Sequence, residues 1–363
     1  MLKRLYIDNF RCFVGFTYEP QRSQLLLGAN GTGKSTLLDA IRLLKALLKG
    51  YDNPFLDSTR TRWDNRSSQI IEVESLLDGQ VYFYRLETRF AKDSPVSRVY
   101  AESLRVQGEA VFEQIDGKIL ILAGQDPSSM LPLKTTNSSL QLASLSSVKV
   151  ARFLDWIERV HCLYIDAYPD AMSDTSDGED PLPDDELENL ADWYRHLAQA
   201  DLPAVVATMR SLEGALDGFH SLQLDRTGAS SRVLKANFKV NGETIPYLLS
   251  ELSPGQRQLI ALFLILHSLI ARGETVILDE PTTHVSLREI QPWLIEALEA
   301  VHEHDGQLIL VSHETEILNY LAKDYGLLFT REESGLVRTK PYRDVLDSGL
   351  EPAETLARGW EDE

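Results

Sequence analysis

Residues 28–35 read G-A-N-G-T-G-K-S, an instance of the pattern G-x-x-x-x-G-K-[ST]. Just before it, residues 24–27 form a short apolar run suited to a buried strand. After it, Leu37, Leu38, Ile41, Leu44, Leu47 and Leu48 recur at the spacing of one helix face, which predicts a helix over 36–48 stopped near Gly50. Strand, glycine-rich turn and helix start form the context in which this pattern cradles phosphates. Backbone N–H groups can approach phosphate oxygens there, and the new helix turns the positive end of its dipole on them. Gly28, Asn30, Gly31, Gly33 and Thr36 are the expected nucleotide contacts. Lys34 is expected to reach the β- and γ-phosphates, and the Ser35 hydroxyl to hold Mg²⁺.

The C-terminal half supplies matching pieces. Residues 275–280 read T-V-I-L-D-E, an apolar strand ending in two carboxylates. Asp279 is placed to accept the Mg²⁺ water shell, and Glu280, one residue on, to orient or activate a water. Residues 252–256 read L-S-P-G-Q. Ser253 suits an N-cap and Pro254 the first helical position, so a helix over 254–271 offers its free N–H groups to an anion. Gly255 permits close backbone approach, with Gln256 beside it. Residues 309–314 read I-L-V-S-H-E, a second apolar strand running into His313.

In this order the motifs resemble an ABC-type ATPase of the SMC/RecF kind. L-S-P-G-Q resembles the signature L-S-G-G-Q, and Ser312-His313 resembles the switch histidine. The segment I-D-N-F-R-C-F at 7–13 resembles the N-terminal strand and arginine of that group, which sets Arg11 between nucleotide contact and plain surface residue. D-E-P-T-T-H at 279–284 resembles the D-E-P-x-N-H segment of compact ATPases related to the OLD family, common in bacterial anti-phage systems. The resemblance implies an α/β fold: a P-loop ABC-type ATPase head with a flanking antiparallel β layer and an inserted helical lobe. It implies ATP and Mg²⁺, with Glu280, His313 and Lys34 as catalytic residues and Ser35 and Asp279 at the metal. It also implies that Ser253, Gly255 and Gln256 of one copy close on ATP held by another, giving a homodimer or higher homo-oligomer. A glutamine near the end of the β layer belongs to the same pattern, and Gln125 and Gln141 are both candidates. Two positions depart from the pattern. Pro254 replaces a glycine and removes one N–H, and Ser286 stands where transporter-like ATPases carry an aspartate.

Composition narrows the partners. The 363 residues carry a formal net charge of −19, which argues against a uniformly basic nucleic-acid surface though not against a local groove. DNA therefore stays open as a partner. Cys12 and Cys162, the two cysteines, fit no metal or redox spacing and suit a reduced, cytoplasmic setting. Residues 1–13 lack the apolar core of a signal peptide, and the longest apolar run, 259–271, is too short to span a bilayer, so no membrane role is expected. That run reads as a buried helix behind the signature.

Four segments are expected. Residues 1–145 form an N-terminal ATPase lobe, with strands at 3–10 and 16–18, a hairpin over 70–90 about Asp78-Gly79, and strands at 99–106, 111–115 and 118–122. Residues 146–220 form a helical insertion with helices at 150–160, 187–200 and 203–216 and an acidic stretch, 166–188, expected to be a solvated loop. Residues 221–345 carry the signature, the carboxylate strand and the switch histidine, and 346–363 a tail. Arg60, Arg62 and Arg66 lie in a polar excursion, either solvated or facing a partner. No long heptad tract occurs, so the arms of SMC proteins are not expected. After His313 a hairpin pattern and a tail leave no room for the nuclease domain of OLD-type proteins. An effector is therefore expected in a separate protein from a neighbouring gene. The functions in view are an ATP-gated sensor or scaffold of an anti-phage system, a RecF-like DNA-repair ATPase, and a nucleotide-binding module without turnover.

Overall fold

The computed structural model describes residues 1–91, 94–122, 137–165, 171–343 and 351–357. In chain order the N-terminal part runs β1 (Leu2–Asp8), β2 (Phe16–Tyr18), β3 (Ser23–Leu27), α1 (Lys34–Leu48), β4 (Ser68–Leu77), β5 (Gln80–Phe90), β6 (Ser97–Val106), β7 (Glu109–Ile115) and β8 (Lys118–Leu122). There follow α2 (Leu140–Ser144), α3 (Val148–Glu158), β9 (Val160–Tyr164), β10 (Thr175–Ser176), α4 (Leu190–Ala200), α5 (Leu202–Ala215), β11 (Phe219–Arg226), β12 (Arg232–Val240) and β13 (Glu243–Leu248). The last part is α6 (Pro254–Ser268), β14 (Thr275–Asp279), α7 (Leu287–Glu303), β15 (Gln307–Val311), α8 (Thr315–Tyr325), β16 (Gly326–Arg331), β17 (Val337–Pro341) and α9 (Pro352–Ala357).

A six-stranded sheet, ordered β17-β16-β3-β15-β14-β9, forms the centre. All its pairings are parallel except β16 with β17. Its inner strands β3, β15 and β14 are apolar on both faces, as a sheet covered on both sides requires. Leu25, Leu27, Val276, Leu278, Leu308 and Leu310 face one core, shared with α4 to α7. Leu26, Ile277, Ile309 and Val311 face the other, shared with α1, α3 and the β layer. That layer is a seven-stranded antiparallel meander, β2-β1-β4-β5-β6-β7-β8, and its strands β4 and β5 alternate buried and part-exposed residues. Gln307, fully buried, ties the two sheets: its side chain accepts from the Leu2 N–H at 3.0 Å and donates to the Leu2 carbonyl at 3.1 Å. A smaller sheet of β10 to β13 packs with α4 and α5. Helix α6 buries every side chain from Leu259 to Leu266, so the apolar run is a core helix. Among the described residues no helix is long and apolar enough to cross a membrane.

Several expectations change here. Helix α3 ends at Glu158, and 160–164 is strand β9, paired in parallel with β14. The segment expected as a helical insertion, 146–220, thus contributes an edge strand to the central sheet. Residues 171–188 of the acidic stretch are packed rather than loose. Met172 and Leu187 are buried, β10 pairs with β12, and the Asp174 carboxylate accepts from Ser250 Oγ at 2.8 Å. The Asp184 carboxylate caps the backbone N–H groups of Glu186, Glu188 and Asn189, which delays the next helix until Leu190. A short helix not expected from the sequence, α2, lies at 140–144, and residues 123–136 before it lie outside the described residues. The arginines of the polar excursion are mostly spent on local acids, Arg66 on Asp8 and Asp64 and Arg60 on Asp57.

Candidate functional site

Strands β3, β15 and β14 end together at one edge of the central sheet. Leu26 is in register with Val311, and Val311 with Asp279. The carboxyl edge of a parallel sheet is where open α/β folds place ligands, because loops and helix starts converge there. The phosphate-loop pattern leaves β3, the Asp279-Glu280 pair leaves β14, and Ser312-His313 leaves β15.

The loop is tightly built. Gly28 has φ 137°, and a Cβ on it would stand 2.3 Å from the Phe329 carbonyl oxygen of β16, so no side chain fits. Gly33 is the N-cap of α1, and its side-chain-free cap leaves the first N–H groups of the helix open. Lys34 is buried, and its ammonium donates to the carbonyls of Gly28 at 2.7 Å and Ala29 at 3.1 Å. Burial lowers its pKa, against the pull of Glu280 and Asp279. Ser35 and Asn30 are exposed, and Thr36 is half-buried. Burial raises the Asp279 pKa, and the neighbouring Glu280 adds to the rise.

Glu280 is strained. Its φ of 50° lies in the left-handed region, which costs a residue with a side chain on the order of 1 kcal/mol or more. Its N–H donates to the Val311 carbonyl at 2.9 Å, which pins the turn across to β15. The turn aims the carboxylate at His313: Oε1 lies 2.7 Å from Nδ1. Its other oxygen, Oε2, is buried with no hydrogen-bond partner. A buried carboxylate oxygen without a partner is expensive, and such a group marks a place for a missing donor or cation. An exposed Ser35 hydroxyl, the Asp279 carboxylate and that oxygen therefore suit a water-coordinated Mg²⁺ and an attacking water.

Helix α6 begins at Pro254, with Ser253 as its N-cap. Ser253 Oγ accepts from Gln256 N–H at 3.3 Å, and Gln256 Oε1 accepts from Ser253 N–H at 3.0 Å, a reciprocal capping box with Pro254 at the first turn. Two buried residues missed in the sequence fix this tip. Arg257 donates from Nη1 to the carbonyls of Leu249, Ser250 and Leu252. Gln258 donates to the Pro281 carbonyl at 2.6 Å and accepts from His284 N–H at 3.1 Å. The tip is thereby stapled to the loop after Glu280. A polar pair at the head of an otherwise apolar helix was the available signal. Gly255 completes the contact, since a Cβ there would stand 2.8 Å from the His284 carbonyl oxygen. Gly255→Ala is expected to destabilise the fold by about 1–3 kcal/mol through overpacking, read as a lower urea midpoint with an unchanged slope. Among the described residues, no hydrogen bond joins 253–256 to 28–36 within the chain.

Other candidates fall elsewhere. Gln141 donates to the Leu48 carbonyl at 2.6 Å, at the end of α1 opposite Lys34. A 15-residue helix is about 22 Å long, so Gln141 caps α1 and does not reach the loop. Gln125 lies outside the described residues. Arg11 is paired with Asp39 of α1 and lies over the Phe10 ring. Ser286 caps α7 in a box with Glu289.

Two family models match parts of the chain. Residues 171–319 match a family described as "AAA domain, putative AbiEii toxin, Type IV TA system", and residues 4–146 match a family described as "AAA domain". No curated protein matches the chain. Among solved structures, the chain is similar to the SMC head domain from Thermotoga maritima, at 15% identity and TM-score 0.48, covering 94% of this chain and 98% of that one. It is also similar to a Pyrococcus furiosus Smc head domain with an extended coiled coil bound to the C-terminal domain of ScpA, at 10% identity and TM-score 0.47, covering 94% and 97%.

Proposed function

We propose that this chain, which matches AAA-domain families over residues 4–146 and 171–319, binds and hydrolyses ATP as a dimeric switch. The observation that carries the proposal is the meeting of three strand ends at Glu280. There a strained carboxylate touches His313 and leaves one buried oxygen unpartnered beside Asp279 and the loop of Lys34. Gly28, Asn30, Gly31, Gly33 and Thr36 hold the phosphates through the loop backbone and the α1 N-terminus. Lys34 leaves its loop carbonyls for the β- and γ-phosphates. Ser35 and Asp279 hold Mg²⁺, which supplies charge neutralisation on the phosphate oxygens. Glu280 takes the proton of a water whose oxygen bonds to the γ-phosphorus, the bond from that phosphorus to the β–γ bridging oxygen breaks, and ADP and phosphate leave. His313, partnered with Glu280, contacts the γ-phosphate and loses that contact on hydrolysis.

Among the described residues no hydrogen bond joins Ser253, Gly255 and Gln256 to their own chain's loop, which supports their use by a second copy, in a two-fold arrangement with two ATP molecules between the heads. The family description naming a toxin of a Type IV TA system, and the D-E-P-T-T-H segment, favour a sensor or scaffold in an anti-phage system with its effector in another protein. The RecF-like alternative rests on the same head. It predicts that duplex DNA stimulates turnover and that binding weakens steeply with salt. Phosphate release should therefore be measured for the purified chain alone, with duplex DNA and with the product of the adjacent gene. The defence reading expects the protein partner to change the rate and DNA not to. Stimulation by DNA alone moves the assignment to repair, and no release under any of the three leaves a module without turnover.

A further inference from the structure

A buried cation without an acid partner lies near the end of α1 that is remote from the phosphate loop. Arg42, Lys45 and Lys49 recur at the spacing of one helix face, and all three line a cavity of about 310 Å³ between α1, the start of β9 and residues 182–185. Lys45 follows Lys34 by eleven residues, about 16 Å along the helix, so the cavity is separate from the loop.

The other charged groups on the wall are matched. Lys49 pairs with Glu158 at 3.2 Å and Arg42 with Asp185 at 3.5 Å, and Arg42 also donates twice to the Cys162 carbonyl. Backbone N–H groups take up the Asp184 carboxylate, and His161 Nε2 meets Glu274 Oε2 at 2.6 Å. Lys45 is different. It is buried, its ammonium donates to the Val160 carbonyl, and among the described residues no carboxylate pairs with it. Burial lowers its pKa, and the negative groups at a distance, Asp185 and Glu158 among them, offset this only in part. An ammonium has three donors, so two remain for a ligand.

A buried charge left unpaired is costly, and an adjoining cavity gives its missing counter-ion a place. We propose that this cavity binds a phosphate dianion, free or carried on a small molecule, between Lys45 and Lys49. Two cations on one helix face, with Arg42 on the same face, suit a double charge. Glu158 is half-exposed, so it can turn to solvent as the phosphate takes its place on Lys49. The volume is at the small end of ligand pockets, which leaves room for a short organic group beyond the phosphate.

The test is made in Lys34→Met, whose phosphate loop has lost its cation. About 20 mM inorganic phosphate is expected to raise its melting temperature by about 2 °C over chloride of the same ionic strength. Adding Lys45→Met is expected to cancel the rise. Should that double variant fail to fold, Lys34→Met with Lys49→Gln carries the contrast, with the rise at least halved. Glycerol 3-phosphate at the same concentration tells the sources apart. A larger rise than with inorganic phosphate assigns the site to a phosphate borne on a small molecule, and an equal or smaller one to the free ion. No rise with either compound overturns the site. So does a rise that survives the deciding lysine substitution, since the phosphate is then an adventitious ion only, held elsewhere on the surface.

Discussion

Glu280→Gln is expected to slow phosphate release by about 10²–10⁴-fold while ATP affinity stays within a few-fold of wild type. The substitution keeps the size of the side chain and an oxygen able to meet His313, so the 2.7 Å contact and the strained turn can persist. What it removes is the negative charge and proton affinity of the oxygen that has no partner in the folded chain. If that oxygen served only to brace the turn between β14 and β15, turnover would survive and stability would fall instead. A single-turnover assay with radiolabelled ATP separates the two, because it reads the chemical step apart from binding. Turnover within about threefold of wild type would remove Glu280 from the chemistry.

Lys34→Met is expected to cost about 2–4 kcal/mol of ATP affinity, roughly 30- to 1,000-fold, by removing a charge that meets the phosphates inside a largely desolvated loop. Methionine keeps the apolar stem of this buried side chain and takes away the ammonium that now bonds the Gly28 and Ala29 carbonyls. Gly28 is half-buried and Ala29 exposed, so water can take the place of the ammonium and the fold should tolerate the change. Burial lowers the Lys34 pKa in the free chain, and an incoming triphosphate favours the charged form, so binding and protonation support each other. Calorimetry of wild type and Lys34→Met, with matched circular dichroism spectra, checks this. Affinity unchanged within about threefold would place the triphosphate elsewhere.

The central sheet was readable because chemistry constrains its strand ends. A glycine that must lie against the Phe329 carbonyl, a lysine after it, and paired carboxylates closing an apolar strand leave few other residue choices. The meander was readable from two-residue turns such as Asp78-Gly79, where the positive φ of both residues is visible in their identity. Strand β9 was not, since one residue, Arg159, separates it from α3 and the apolar pattern runs on without a break. Composition misjudged 171–188. Its acids speak for solvent, yet the segment is held by Met172 and Leu187 in the core and by Asp184 capping its own backbone. Gln258 and Arg257 bond to backbone groups, Gln258 to partners more than twenty residues along the chain, and no side-chain pattern announces such partners. Gln141 was a candidate by position alone, and α1 carries it to the far end of the molecule's first helix.

The account turns on ATP joining two copies, a loop from one and the Ser253 tip from the other. The most direct measurement is the mass of Glu280→Gln by light scattering, with and without ATP and Mg²⁺, set beside the double variant that adds Ser253→Arg. The account predicts twice the subunit mass with ATP only, and the subunit mass for the double variant at ATP concentrations that still saturate its loop. A subunit mass for Glu280→Gln under saturating ATP, or a doubled mass that Ser253→Arg does not reduce, would contradict it.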